Sequence, residues 1–235
     1  MIFKLQQSKS FLSLLTLLFL FCLYPNNYAY EKQKDGVLFE LTKQKATDAQ
    51  WLKIQICTED IIRFIASPTN SFSTRASLMI VNSNRDIPNW SLRLKNGSVE
   101  ISTSKVSVVV DTTTGAVEFY DAKGNLLLHE KTKGGKIITS ADVMGEQTYH
   151  VRQIFDTPDD EAFYGLGQHQ NDILNYKGHD VDLWQYNIVD IVPFLVTNKN
   201  YGILWDNNSR TKLGDIREYG SLSTLKLFGK TGIPG

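Results

Sequence analysis

Cysteine is nearly absent from this chain. Only Cys22 and Cys57 occur, and Cys22 lies inside the apolar run Phe11–Tyr24 (FLSLLTLLFLFCLY), so the remainder holds a single thiol and closes no internal disulfide. Charge of one sign is missing too, since 25 Lys and Arg balance 25 Asp and Glu. Without a basic stripe there is nothing for a row of phosphates to bind, so nucleic acid is not an expected partner. Beyond Tyr24 no segment carries an apolar stripe of helical period over three turns. Phosphate-cradling glycine loops, a nucleophile-elbow serine and zinc-type spacings are absent as well, and neither cofactor nor metal is expected. The histidines at 129, 150, 169 and 179 are scattered, and only His169 and His179 share a loop.

What remains is a foldable composition, 42% apolar and 21% charged. Such a mixture excludes a disordered tail, a collagen-like fibre or a coiled coil. Lys4 and Lys9 precede the apolar run, Pro25-Asn26-Asn27 ends it, and Ala29 offers a small residue at a cleavage point. The run is shorter than the ~20 residues a membrane helix needs, so residues 1–29 are expected to be a signal peptide. Its removal takes two lysines and no acid. The mature chain is then expected to be exported, to a bacterial periplasm or cell surface, with no membrane span. A disulfide-free exported chain is held together by its core.

The mature part alternates with period two. Leu52, Ile54 and Ile56 oppose Lys53 and Gln55; Val106, Val108 and Val110 repeat the pattern, as do Leu92 with Leu94 and Val99 with Ile101. Turn clusters at Asn96-Gly97, 111–115, 121–125, Gly134-Gly135 and 157–160 separate these runs. Short strands so punctuated indicate an all-β antiparallel sandwich. Residues 99–130 read as a meander, with Gly115 and Gly124 where hairpin turns need positive φ. FYGLG (163–167) and YGILW (201–205) read as core strands.

Between those two strands lies a tract of different character. Residues 168–187 hold His169, Asn171, Asp172, Asn175, His179, Asp180, Asp182, Trp184, Gln185, Tyr186 and Asn187. Planar rings mixed with hydrogen-bonding groups suit a polar ligand with apolar faces, which describes a sugar. Trp184 stands out, because Gln185, Tyr186 and Asn187 make a polar run no core strand would carry; these four are the expected substrate-binding residues. Asp172, Asp180, Asp182, Asp190 and Asp206 offer carboxylates for glycoside hydrolysis, which needs a pair about 5–5.5 Å or about 6.5–9.5 Å apart. Turn-forming and hairpin-capping roles suit them better, and Trp205-Asp206-Asn207-Asn208 reads as a strand end followed by a turn.

The run FYGLGQ (163–168), with Lys177-Gly178, Pro193-Phe194 and YGILWD (201–206), resembles glycoside hydrolase family 31. IQICTEDIIRF (54–64) and VVVDTTTGAVEFYDAKGNLLLHE (108–130) are similar to the same N-terminal domain, so the resemblance covers most of residues 37–215. Gln168 stands where the motif more commonly has glutamate. The tract GLGQHQ…YKGHDVDLWQYN…VPF…YGILWDNNS looks most like bacterial α-xylosidases acting on xyloglucan fragments. The resemblance implies a galactose-mutarotase-like sandwich over 30–225 that packs on a (β/α)₈ barrel not contained in this chain. The catalytic aspartates lie on that barrel; no Trp-x-Asp-Met motif occurs here, so no catalytic residue is assigned. The loop after FYGLG reaches over the barrel mouth in the family, and Trp184 to Asn187 match it by position.

By the same resemblance, 226–235 is expected to begin a linker, into a PA14-type insert in some α-xylosidases, and the chain is expected to be the leading part of a longer enzyme. Its partners would be an oligosaccharide with α-linked xylose or glucose and its own barrel. A stand-alone sugar-binding module, and an aldose epimerase using His150 and Glu161, remain as alternatives.

Overall fold

A computed structural model describes residues 30–81, 86–133 and 135–214. The expected signal peptide (1–29) and the linker (226–235) lie outside the described residues. Every described strand pairing is antiparallel. No helix among the described residues is long and apolar enough to cross a membrane.

The first sheet is a meander of β1 (Tyr30–Gln33), β2 (Gly36–Glu40), β3 (Trp51–Ile56) and β4 (Ile62–Ser67). The second has six strands. They are β5 (Ser91–Lys95), β6 (Ser98–Ser102), β7 (Val106–Asp111), β8 (Val117–Asp121), β9 (Leu126–Glu130) and β12 (Phe155–Asp156), in the order β12-β9-β8-β7-β6-β5. The period-two residues meet between these two sheets: Val37, Phe39, Leu52 and Ile54 from the first, and Val99, Ile101, Val108, Val110 and Val117 from the second, all fully buried. At about 2 kcal/mol per buried aliphatic side chain this layer is the main stabilising term of the sandwich. The expected meander over 99–130 is β6 to β9, and Gly115 and Gly124 take φ of 71° and 82° in its turns. Leu94 departs from expectation. It is exposed, because β5 is an edge strand and only Leu92 reaches the core.

The hairpin β10 (Lys136–Val143) with β11 (Glu146–Gln153) is pinned to the sandwich by a buried ion pair. Lys136 Nζ donates to the Glu130 carboxylate and to the Gly115 carbonyl (2.7 Å), and Glu130 Oε2 accepts the Val117 N–H at 3.2 Å. Burial pulls the Lys136 pKa below its ordinary value, and the Glu130 charge opposes that pull.

The remaining strands form a second, smaller core. β13 (Phe163–Gln168), β15 (Asp190–Thr197) and β16 (Gly202–Leu204) make one sheet, and β14 (Val181–Leu183) pairs with β17 (Thr211–Leu213). Leu166, Tyr176, Val181, Leu183 and Leu195 cluster between them. FYGLG and YGILW are strands here, but neither is buried on both faces. Leu166 is the one buried residue of β13, and Leu204 is exposed. The cause is a bulge between Gly165 and Gly167, where Leu166 at φ 66° turns its side chain into the small core. The flanking glycines are required: at Gly165 (φ 103°) an added Cβ would sit 2.5 Å from the Phe194 carbonyl oxygen, and at Gly167 (φ 99°) 2.0 Å from that of Asp190. On the outer face of β15, Val192, Phe194 and Val196 form an exposed apolar row with Leu204, the partner of Phe194 on β16.

Candidate functional site

Trp184 directly follows β14, and the register Val181↔Leu213, Asp182↔Lys212, Leu183↔Thr211 sets Arg210 beside it at the start of β17. The Arg210 guanidinium lies 5.2 Å from the centre of the Trp184 ring. The Asp182 carboxylate grips the same guanidinium at two points, Nε to Oδ1 at 3.0 Å and a second bond from Nη2 to Oδ2. Hydrogen bonding to Asp182 raises the Arg210 pKa further above its already high value. The indole therefore has a fixed orientation, and it remains 47% exposed. A planar aromatic surface held this firmly costs little conformational entropy when a ligand stacks on it.

The indole forms part of a cleft of about 320 Å³. Leu183, Ile191 and Pro193 give it an apolar lining, and Asn207, Asn208 and Ser209 border it with amides and a hydroxyl. Among the described residues Arg210 is the one charged residue lining it, and Asp182 neutralises it. A neutral cleft with one aromatic surface, apolar lining and a polar border fits an uncharged polyol ring far better than an anion.

Of the four expected substrate-binding residues, the structure brings Trp184 and Gln185 to this cleft. The Gln185 amide is already engaged: Nε2 donates to Asp190 Oδ1 at 3.0 Å, and Oε1 accepts the Ile191 N–H at 3.3 Å. It closes the turn with one donor and one acceptor site, leaving one N–H and one lone pair for a ligand. Tyr186 and Asn187 lie on the tip of that turn. The Val189 N–H bonds the Tyr186 carbonyl at 2.9 Å, and Asn187 takes φ 31°, a conformation asparagine tolerates. The Tyr186 side chain is 56% exposed, and neither residue lines the cleft.

The other candidates are dispersed. His169 Nε2 lies 3.0 Å from the Leu166 carbonyl oxygen, with its ring edge-on to Tyr176. Asp172 occupies a turn at φ 53°, and Asp190 serves Gln185. His150 stands on β11 opposite Thr139, whereas Glu161 is buried in the loop before β13, accepting the Tyr201 hydroxyl at 2.5 Å. Among the described residues no group of three His, Cys, Asp or Glu side chains is placed to hold a metal ion.

Sequence reasoning missed Met79 of the cleft lining, Arg210 and the role of Asp206. Arg210 carried no local signal, because its role follows from the pairing of β14 with β17. Asp206 read as a turn former, yet it reaches Arg63 on β4 at 3.1 Å and accepts the Ser77 hydroxyl at 2.6 Å. Those partners lie 143 and 129 residues away in the chain.

Comparison with known proteins identifies relatives of this fold. Residues 52–213 match the family described as glycosyl hydrolase 31 N-terminal galactose mutarotase-like domain. An alpha-xylosidase of Saccharolobus solfataricus is 35% identical over 127 residues, covering 50% of this chain and 16% of that protein. The crystal structure of a GH31 alpha-xylosidase from Xanthomonas citri superposes with a TM-score of 0.73 at 41% identity, over 80% of this chain and 20% of that one. A GH31 alpha-xylosidase from a soil metagenome, solved with xylose, gives a TM-score of 0.61 at 25% identity, over 79% of this chain and 29% of its own. The chain thus spans less than a third of the length of each of these relatives.

Proposed function

Because the chain belongs to glycoside hydrolase family 31, through that family's N-terminal galactose-mutarotase-like domain, we propose that the whole protein is an exported retaining α-glycosidase. Its first substrate class is xyloglucan-type oligosaccharides bearing α-linked xylose, and α-glucosides come next. The Xanthomonas citri and Saccharolobus solfataricus relatives are both alpha-xylosidases, which supports this order. One aspartate attacks the anomeric carbon and a second acid protonates the leaving oxygen, both from a barrel beyond these residues. This segment walls the substrate pocket and packs on that barrel.

The observation that carries the reading is Trp184, a fixed and half-exposed indole in a neutral cleft. The apolar row Val192, Phe194, Val196 and Leu204 supports packing against further polypeptide. The apolar run Phe11–Tyr24 supports export.

The test compares hydrolysis of aryl α-xyloside by the present chain and by the whole protein. The chain alone is expected to give no turnover. The whole protein is expected to hydrolyse α-xyloside, and Trp184→Ala to raise KM about tenfold, the loss of one stacking surface. Turnover by the isolated chain, or an unchanged KM in the variant, overturns the reading.

A further inference from the structure

The cleft has a second apolar wall, delivered from a distant part of the sequence. Met79 lines it together with Trp184, yet belongs to the irregular segment that follows β4. Apart from Met79, little apolar burial holds that segment's tip in place: Leu78 is 82% and Val81 86% exposed. One hydroxyl ties it down by hydrogen bonds. Ser77 Oγ accepts the N–H groups of Met79 (3.0 Å) and Ile80 (3.1 Å) and donates to Asp206 Oδ1 at 2.6 Å. A serine hydroxyl has one donor and two acceptor sites, and all three are used. The other Asp206 oxygen is fixed by Arg63 at 3.1 Å. Among the described residues, the Ser77–Asp206 bond is the hydrogen bond that ties 72–81 to a distant part of the chain. Asp206 in turn immediately precedes Asn207, Asn208 and Ser209 on the cleft border.

We propose that Ser77, anchored on Asp206, is a positioning residue that presents Met79 to the cleft as a second apolar contact for a neutral saccharide ring bound against Trp184. This rests on the reading of the cleft as a saccharide subsite. A polarisable, unbranched thioether adapts to the C–H face of a pyranose, while the indole takes another face of the ring. The carboxylate binds Arg63 and Ser77 and does not itself line the cleft, so its effect on the sugar is assigned to the placing of Met79.

The chain lends itself to a direct test, because its only methionines are Met1, Met79 and Met144. The full chain, labelled with ¹³C-methyl methionine and ¹⁵N-indole tryptophan, is titrated with α-D-xylosyl-(1→6)-D-glucose up to ~50 mM, a range that registers weak binding. The Trp184 indole and the Met79 methyl are expected to shift together while Met144 stays still. Ser77→Ala is expected to move the Met79 methyl towards its unstructured position before sugar is added and to weaken binding about fivefold, half an apolar side chain's contact. Ser77→Thr, which keeps the hydroxyl, is expected to restore both. If the Trp184 signal responds and Met79 does not, or if Ser77→Ala changes neither position nor affinity, the inference falls and the saccharide reading stands. If neither signal responds, the saccharide reading falls and takes the inference with it.

Discussion

Replacing Lys136 by methionine probes how the hairpin β10–β11 is fastened to the sandwich. The substitution keeps an unbranched stem and removes the charge. Glu130, only 2% exposed, then retains the Val117 N–H as its one hydrogen-bond partner among the described residues, and the Gly115 carbonyl loses its Lys136 donor. Gly135 packs against the carboxylate so closely that a Cβ there would lie 2.4 Å from Oε1. Breaking a buried pair by removing one partner costs about 3–5 kcal/mol, since the survivor is an uncompensated charge. A domain of this size has roughly 5–15 kcal/mol in total, so about a fifth or more of its stability is at stake. Urea unfolding at pH 7, followed by tryptophan fluorescence and extrapolated linearly, reads the loss. Adding Glu130→Gln is expected to recover most of it, because a neutral amide still accepts the Val117 N–H. A loss below about 1 kcal/mol for Lys136→Met, or no recovery in the double variant, would refute the argument that this charge pair is dry and mutually dependent.

Tyrosine ionisation gives a pH signature. Burial first, then the hydrogen bond to Glu161 and its charge, push the Tyr201 pKa up; the hydrogen bond to Glu118, then burial, raise that of Tyr120 to about 12. A raised folded-state pKa contributes stability that is fully present below the unfolded value of about 10 and is lost as the pH climbs towards the folded value. Chemical denaturation between pH 8 and 11 (about the tyrosine range) should show stability falling above about 10, and less steeply in Tyr201→Phe; equal slopes would contradict this. Gly167→Ala places a Cβ 2.0 Å from the Asp190 carbonyl oxygen at φ 99°, and is expected to cost several kcal/mol, about the upper range of point mutants; a normal urea midpoint would show the bulge to be dispensable. Arg210→Met should free the Trp184 ring, seen as increased acrylamide quenching of that tryptophan against the other three; unchanged quenching would mean the guanidinium does not orient the indole. Replacing Val192 and Phe194 by serine should raise the solubility of the chain, as measured by light scattering, if that row is meant to be covered; unchanged self-association would argue that the row is not the sticky face.

The sandwich was legible because its cause is local. Leu52, Ile54 and Ile56 alternate with Lys53 and Gln55 in any strand, and burying one face dictates which set turns inward. Gly115 and Gly124 likewise announce their turns. The smaller core was harder. FYGLG has the composition of a buried strand, but its two glycines serve a bulge that turns Leu166 alone into the core, a geometry set by the Phe194 and Asp190 carbonyls across the sheet. Trp184 was found from its polar neighbours, although those neighbours, Gln185 to Asn187, prove to be the turn that follows it. Arg210 and Met79 left no trace, and Asp206 read only as a spare carboxylate in a turn, since each acquires its role only when segments far apart in sequence come together.

The central claim is that the Trp184 indole is a wall for a saccharide in an α-glycosidase. A crystal structure of the whole protein, inactivated at its nucleophile and soaked with α-D-xylosyl-(1→6)-D-glucose, tests it most directly. The account predicts a pyranose seated against the Trp184 ring and the Arg210–Asp182 pair still gripping its other side. A sugar bound with Trp184 turned to solvent, or with the cleft filled by the protein's own chain, would contradict it.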